Sequence, residues 1–313
     1  MVEAVSSLAY LGPEGTFTHA AALTWADDAS PVPLATVEEV YRAVGTGEVD
    51  RGVVAIESSV EGYVVPSLDA LVAADDVVAV DEVALAIAFD AFTLADGAAE
   101  ESVELAEVSA HPHGLAQCRA FVTASGLRPV PATSNAAACR DLAPGRVALG
   151  PRLCGELYGL TTLATDVQDF AGARTRFLLV ARRSEAPGLL AASDEPRWRS
   201  MVAITPAVIG PGVLARITTA FGERGVNMSS LITRPLKAQE GTYVFVVTFD
   251  GAPWEPEVRG LLAQLLAAGD WLKTLGVVPV RDPADPEPDL AGVPVGSVRT
   301  DASHDALTAG LLW

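Results

Sequence analysis

The sequence predicts an α/β chain in two parts, and three observations carry that expectation. Short apolar runs alternate with helical patterns through residues 1–183, as in sheets flanked by helices. A compact strand-helix-strand-strand-helix-strand pattern, ferredoxin-like in order, marks a second domain over residues 199–281. Between them, residues 184–198 are rich in Ser, Ala, Pro, Gly and charge, and read as a linker.

The elements follow in order. Leu8-Ala9-Tyr10-Leu11 reads as a strand running into a Gly12-Pro13-Glu14-Gly15 turn, with a helix opening near Thr16–Thr18. Thr36, with Glu39 three positions on, forms a capping box for the next helix. The unbroken apolar run Gly52–Ile56 is a buried strand. Leu115, Cys118, Phe121 and Val122 share a helix face after His111-Pro112, and Thr133-Ser134-Asn135 offers an N-cap to the three alanines that follow. Val147–Leu149 is a strand, Pro151 suits a helix start, and Phe177–Ala181 is the last strand of the first part.

In the second domain, Met201–Thr205 is a strand. Leu214, Ile217 and Phe221 make one apolar helix face that Gly225 ends. Asn227–Thr233 is the second strand, and Thr242–Phe249 alternates with period two as the third. Leu261, Leu262, Leu265 and Leu266 give the second helix, and Gly276–Val280 the final strand. Residues 282–313, opening with Asp-Pro-Ala-Asp-Pro-Glu-Pro-Asp, are expected to be mostly disordered.

A net charge of −19 disfavours nucleic acid and anionic membrane as partners. No run of ~18 apolar residues is present, and the start has no basic and apolar signal-peptide pattern. Cys118, Cys139 and Cys154 lack metal-ligand or redox spacing, which points to a reducing cytoplasm and no metal.

Several segments carry polar groups where a strand meets a helix. Gly15-Thr16-Phe17, at the turn after the first strand, directs backbone N–H groups and a hydroxyl toward one point, an arrangement suited to an anion. Glu57-Ser58-Ser59 follows a buried strand, at the carboxyl end where open α/β sheets bind ligands. His111 precedes a helix, and Thr133-Ser134 precede another. Thr175-Arg176-Phe177 leads into a strand.

Together these segments resemble the prephenate dehydratase family. The likeness rests on Tyr10–His19, Ile56–Gly62, Ala110–Cys118, Thr133–Ala138 and Thr175-Arg176-Phe177, with an ACT domain after them. It implies a two-lobed, periplasmic-binding-protein-like catalytic domain, its second lobe about residues 85–168, followed by a regulatory ACT domain. Implied too are loss of CO2 and water from prephenate to give phenylpyruvate, with no cofactor because aromatisation drives the step, and assembly as a homodimer or homotetramer.

The resemblance makes Thr175 the catalytic residue, a hydrogen-bond donor to the departing hydroxyl. It places Gly15, Thr16, Phe17, Glu57, Ser58, Ser59, His111, Thr133, Ser134, Arg176 and Phe177 around the substrate, with Arg176 suited to a substrate carboxylate. It implies a phenylalanine effector held by Gly210, Gly212, Val213, Leu214, Asn227, Met228 and Ser229. The chain departs from the family pattern at Ser58, Ala110, His113 and Gly172, and Ile232 stands at an acidic position. Those departures keep open a prephenate decarboxylase, an arogenate dehydratase and a silent sensor of prephenate or amino acid.

Overall fold

The computed structural model describes residues 7–26, 29–95, 104–193, 195, 197–236, 243–281, 297–298, 303 and 305. The chain divides into two compact units, Met1–Pro279 and Val280–Trp313. The tail expected to be disordered lies almost wholly outside the described residues, as does Thr242 at the start of the predicted third strand.

The first lobe begins with β1 (Leu8–Leu11), α1 (Phe17–Ala22), β2 (Val32–Leu34), α2 (Val37–Thr46), β3 (Arg51–Ser58), β4 (Gly62–Tyr63), α3 (Val65–Ala73) and β5 (Val77–Ala86). Local chemistry starts two of these helices. Thr16 accepts the His19 N–H at 3.1 Å, and Thr36 accepts that of Glu39 at 3.1 Å. Glu39 reaches back to the Ala35 N–H at 3.0 Å, one residue beyond the usual capping-box partner.

The second lobe follows with β6 (Asp90–Leu94), β7 (Glu107–Ala110), α4 (Pro112–Gln117), α5 (Arg119–Ser125), β8 (Arg128–Pro131), α6 (Asn135–Arg140), β9 (Arg146–Gly150), α7 (Leu153–Tyr158) and β10 (Leu160–Ala164). Its strands form a separate five-stranded sheet in the order β10-β6-β9-β7-β8. The single helix expected after His111-Pro112 is two short ones. At Cys118 the backbone leaves the helical region, with φ −118° and ψ 31°, while its side chain stays buried in the lobe core.

The chain then returns. β11 (Arg174–Arg182) inserts between β3 and β5, antiparallel to both, and completes the order β5-β11-β3-β1-β2. Two α/β lobes joined by a double crossing make this a periplasmic-binding-protein-like arrangement. The crossing segments are tied to one another, the Ile87 N–H to the Ala173 carbonyl at 2.7 Å and the Val167 N–H to the Phe89 carbonyl at 2.8 Å.

The segment read as a linker contains a helix, α8 (Ala186–Ala191), started by Pro187 and packed on the first lobe through the buried Ala186. The ferredoxin-like part has β12 (Trp198–Thr205), α9 (Val213–Glu223), β13 (Met228–Pro235), β14 (Tyr243–Asp250), α10 (Pro256–Ala267) and β15 (Trp271–Pro279). Its strands run antiparallel in the order β13-β14-β12-β15. α9 and α10 cover one face through Ile217, Phe221, Leu261 and Leu265. Leu214, expected on that apolar face, is 42% exposed, and Val213, four residues before Ile217, packs on the core instead.

β15 pairs with β5 in parallel at Gly276 and Ala79, so the two sheets form one ten-stranded sheet. A single apolar core spans the join. Met201, Ala203, Val244, Val246 and Val278 of the ferredoxin-like part share it with Val40, Leu68, Leu71 and Leu178 of the first lobe. Removing such side chains from water contributes about 1.5–3 kcal/mol for each of the larger ones, which fixes this face of the ferredoxin-like sheet against the lobe.

Candidate active site

The parallel strands of the two lobes end toward a shared cleft. β1 and β3 are parallel neighbours, so the Gly12–Gly15 turn and Ser58 emerge side by side. β7 and β8 are parallel neighbours in the other lobe and deliver His111 and Thr133. Contacts across the cleft bring these ends together. Phe17 meets Phe89 edge to face at 5.3 Å, the Tyr158 hydroxyl donates to the Glu14 carbonyl at 2.7 Å, and the Cys154 thiol donates to the Gly15 carbonyl at 3.3 Å. At the other rim Glu61 accepts from the Gln117 amide at 3.0 Å and lies 3.1 Å from His113 Nδ1. His113, a departure from the family pattern, thus has a physical role as a cross-cleft partner of Glu61.

The first-lobe turn is built from within. Gly15 takes φ +81°, which other residues rarely adopt, and its N–H donates to His19 Nδ1 at 3.0 Å. His19 is buried and stacked on Tyr10 at 4.8 Å. Burial lowers its pKa, with Glu14 opposing, so the neutral ring that can accept from Gly15 is favoured. Thr16 caps α1 with its hydroxyl oxygen, and its own proton faces the Leu11 carbonyl at 3.4 Å.

On β3, the Ser58 hydroxyl oxygen accepts the N–H groups of Val60 and Glu61 at 3.2 and 3.3 Å, leaving its proton for another partner. Ser59 is bound to the start of β11 in both directions. Its N–H donates to the Arg174 carbonyl at 2.8 Å, and its hydroxyl oxygen accepts the Arg174 N–H at 2.9 Å. Thr175 stands opposite Ser58 in this ladder, half-buried, and its hydroxyl makes no hydrogen bond among the described residues.

The second lobe contributes two helix starts. His111 caps α4, Nδ1 accepting the His113 N–H at 3.2 Å, while the His111 N–H donates to Asn135 Oδ1 at 2.9 Å. Desolvation lowers the His111 pKa, with His113 acting in the same direction and Glu61 against it. Ser134 caps α6 by accepting the Ala137 N–H at 2.9 Å, and Thr133 is exposed beside it. Gly114 and Asn135 are support residues the sequence reading passed over. A Cβ on Gly114 would lie 2.4 Å from Asn135 Oδ1, so only glycine lets α4 approach this amide.

Three residues expected around the substrate, Arg176, Glu57 and Phe177, have their side chains engaged elsewhere. Arg176 does not offer its guanidinium to the cleft: Nη1 donates to Glu57 at 2.6 Å, and Nε and Nη2 donate to Glu82 at 3.1 and 2.6 Å. Neighbours on a strand point to opposite faces, so Arg176 turns from Thr175 toward the face it shares with Leu178 and Met201. Glu57, placed at the substrate by the sequence, is the partner of Arg176 on that side. Phe177 shares the face of Thr175 but is only 1% exposed, in the core with Leu8, Tyr10 and Val53 beneath the site.

The expected effector positions lie at opposite ends of the ferredoxin-like part, Gly210–Leu214 beyond the end of β12 and Asn227–Ser229 level with its start, through Phe249 and Ser200. Gly210 and Gly212 both have positive φ, and Gly212 starts α9 with no side-chain cap. Val213 is half-buried and Leu214 exposed, with Val208 and Ile209 exposed beside them. Asn227 donates to Asp250 at 2.9 Å, Met228 pairs with Phe249, and the Ser229 hydroxyl donates to the Thr248 carbonyl at 3.2 Å.

No helix among the described residues is long and apolar enough to cross a membrane. Residues 8–185 match the prephenate dehydratase family and residues 209–267 the ACT domain family. A prephenate dehydratase of Amycolatopsis methanolica is 37% identical over 267 residues, which is 83% of this chain and 84% of that protein. The crystal structure of a prephenate dehydratase from Arthrobacter aurescens in complex with L-Phe superimposes with a TM-score of 0.75 at 31% identity, covering 88% of this chain and 90% of that one. That of Staphylococcus aureus prephenate dehydratase gives 0.71 at 28% identity, covering 87% and 99%. With the order of segments, the two-lobed architecture and the terminal ferredoxin-like part all in agreement, the chain belongs to the prephenate dehydratase family and carries that family's ACT domain.

Proposed function

We propose that this chain is a prephenate dehydratase, converting prephenate to phenylpyruvate in phenylalanine biosynthesis in the cytoplasm. The observation that carries the reading is the placement of Thr175. Its hydroxyl has no partner among the described residues, and it sits opposite Ser58 at the carboxyl ends of the first-lobe strands, in a chain that matches the family from end to end of the catalytic part. The C1 carboxylate leaves as CO2, its electron pair enters the ring, and the C4–O bond breaks. The departing hydroxide receives a hydrogen bond from Thr175 and takes up one proton from solvent, leaving as water.

A threonine hydroxyl is far too weak an acid for ordinary general acid catalysis, so its contribution is an aligned donor. Ser58 retains one O–H for the substrate, and Thr16 and Phe17 supply N–H groups for a carboxylate, that of Gly15 being taken by His19. These donors, rather than Arg176, then hold the dianion in an otherwise acidic protein. The ACT domain takes phenylalanine between copies, the Gly210–Leu214 turn of one chain facing Asn227–Ser229 of another, and the likeness to the L-Phe complex supports phenylalanine as the effector. Assembly as a homodimer or homotetramer completes that effector site.

The test is incubation of the pure chain with prephenate at neutral pH, products resolved by NMR. Phenylpyruvate, absent with Thr175→Val, is the expected result. A dihydro-hydroxyphenylpyruvate would make the chain a decarboxylase and end the donor role of Thr175. Unchanged prephenate with turnover of arogenate would reassign the substrate.

A further inference from the structure

Behind Thr175, on the opposite face of β11, four charged side chains form a line that leaves the catalytic part. Glu57 on β3 holds Arg176, Arg176 holds Glu82 on β5, and Glu82 holds Arg199 on β12 at 2.9 Å. Arg199 belongs to the first strand of the ACT domain. The line is half-buried throughout, with side-chain exposures between 14% and 29%. Burial opposes the Arg176 charge, and Glu82, then Glu57, more than offset it. Other contacts run parallel to this line. The Tyr63 hydroxyl on β4 donates to Ser230 of β13 at 2.9 Å, and Arg234 grips Asp69 on α3 with two bonds of 2.7 and 2.8 Å.

The chain of charges meets the site where the ladder is irregular. Between Arg176 and Phe177 the pairing of β11 with β3 slips, Glu57 opposing the first and Ala55 the second. Ile56 is the extra residue, so the ladder is locally interrupted between the Ser59–Arg174 bonds at its end and the regular pairing that resumes at Ala55 and Phe177. The Arg176–Glu57 ion pair spans the irregularity one residue from the Thr175–Ser58 pair.

We propose that Arg176 and Arg199 are positioning residues, the ACT strand β12 acting through Glu82 to hold Thr175 and Ser58 in catalytic register. The proposal rests on the dehydratase reading. It makes the regulatory domain a standing part of the catalytic support even without effector. It also gives the Arg of the Thr-Arg-Phe segment a role distinct from substrate binding.

The test uses the full chain with Arg176→Lys, Arg199→Met and Arg199→Lys. Lysine cannot bridge Glu57 and Glu82 together, so Arg176→Lys lowers kcat about tenfold or more while KM stays within about threefold. Arg199→Met, remote from the cleft, gives the same signature, and Arg199→Lys recovers most of the loss because one bond to Glu82 suffices. Amide hydrogen exchange of residues 57–60 and 174–177 quickens in Arg199→Met. A KM raised about a hundredfold by Arg176→Lys at unchanged kcat would instead mark a lost carboxylate contact and overturn the proposal. So would wild-type kcat and exchange in Arg199→Met. A wild-type chain inactive on prephenate would defeat the dehydratase reading, and the exchange comparison would then decide the positioning role alone.

Discussion

The two faces of β11 are treated in opposite ways. On one, Thr175 keeps its hydroxyl unpaired beside the cleft while Phe177, two residues on, is sealed in the core. On the other, every guanidinium nitrogen of Arg176 is engaged by a carboxylate. On β11 the group assigned to chemistry keeps its hydroxyl free while Arg176 behind it is fully engaged; farther along the line Arg199 leaves its buried Nε without a partner among the described residues.

Substitutions break this contrast in graded fashion. Phe177→Ala is expected to cost about 3–5 kcal/mol in a denaturant melt, with kcat per folded molecule changing much less. Thr175→Val does the reverse, with a fall in kcat of about 10²–10³ and an unchanged melting midpoint. If both variants lost activity and stability in equal measure, the division between core and donor on this face would be mistaken. Gly114→Ala forces a Cβ against Asn135 and is expected to cost about 1–3 kcal/mol and to disturb the bond to the His111 N–H. Differential scanning calorimetry and a raised KM would register it.

The smallest effect concerns pH. His19 has its pKa lowered on folding, by burial first and against the pull of Glu14. The unfolded chain therefore binds a proton at a pH where the folded chain does not. This contribution stands in full above the unfolded value near pH 6.5 and is lost as pH falls below it, down through the folded value. His19→Gln should flatten the fall in Tm between pH 7.5 and 5.5, and a slope parallel to wild type would remove His19 from that account. His111 shares the sign and keeps a residual slope.

Much of this was legible beforehand. Capping residues Thr16, Thr36 and Ser134 do what their spacing announces, because a cap is decided by a handful of neighbouring atoms. The opposed directions of Thr175 and Arg176 follow from alternation only once β11 is seen to begin at Arg174 rather than at Phe177. What could not be read was the destination of Arg176. Its partners lie 119 and 94 positions away, and the strand behind Glu82 comes from another domain. Nor does anything local announce the break at Cys118, where neither Gly nor Pro interrupts the helical pattern. The helix over Ala186–Ala191 was hidden by a composition shared with loops, and packing of Ala186 on the first lobe selects it.

The late return of β11 has a consequence for synthesis on the ribosome. β5 ends at Ala86 and its neighbour β11 begins at Arg174, with the whole second lobe encoded between them. At ~5–20 residues per second, the facing edges of β3 and β5 stay unpaired for roughly 4–18 s. The other edge of β5 waits longer still, for β15 near the end of the ACT domain. Nascent chains of this protein therefore expose open strand edges for most of their elongation, the interval in which edge-to-edge association between neighbouring ribosomes is most dangerous and a holding chaperone is of greatest use.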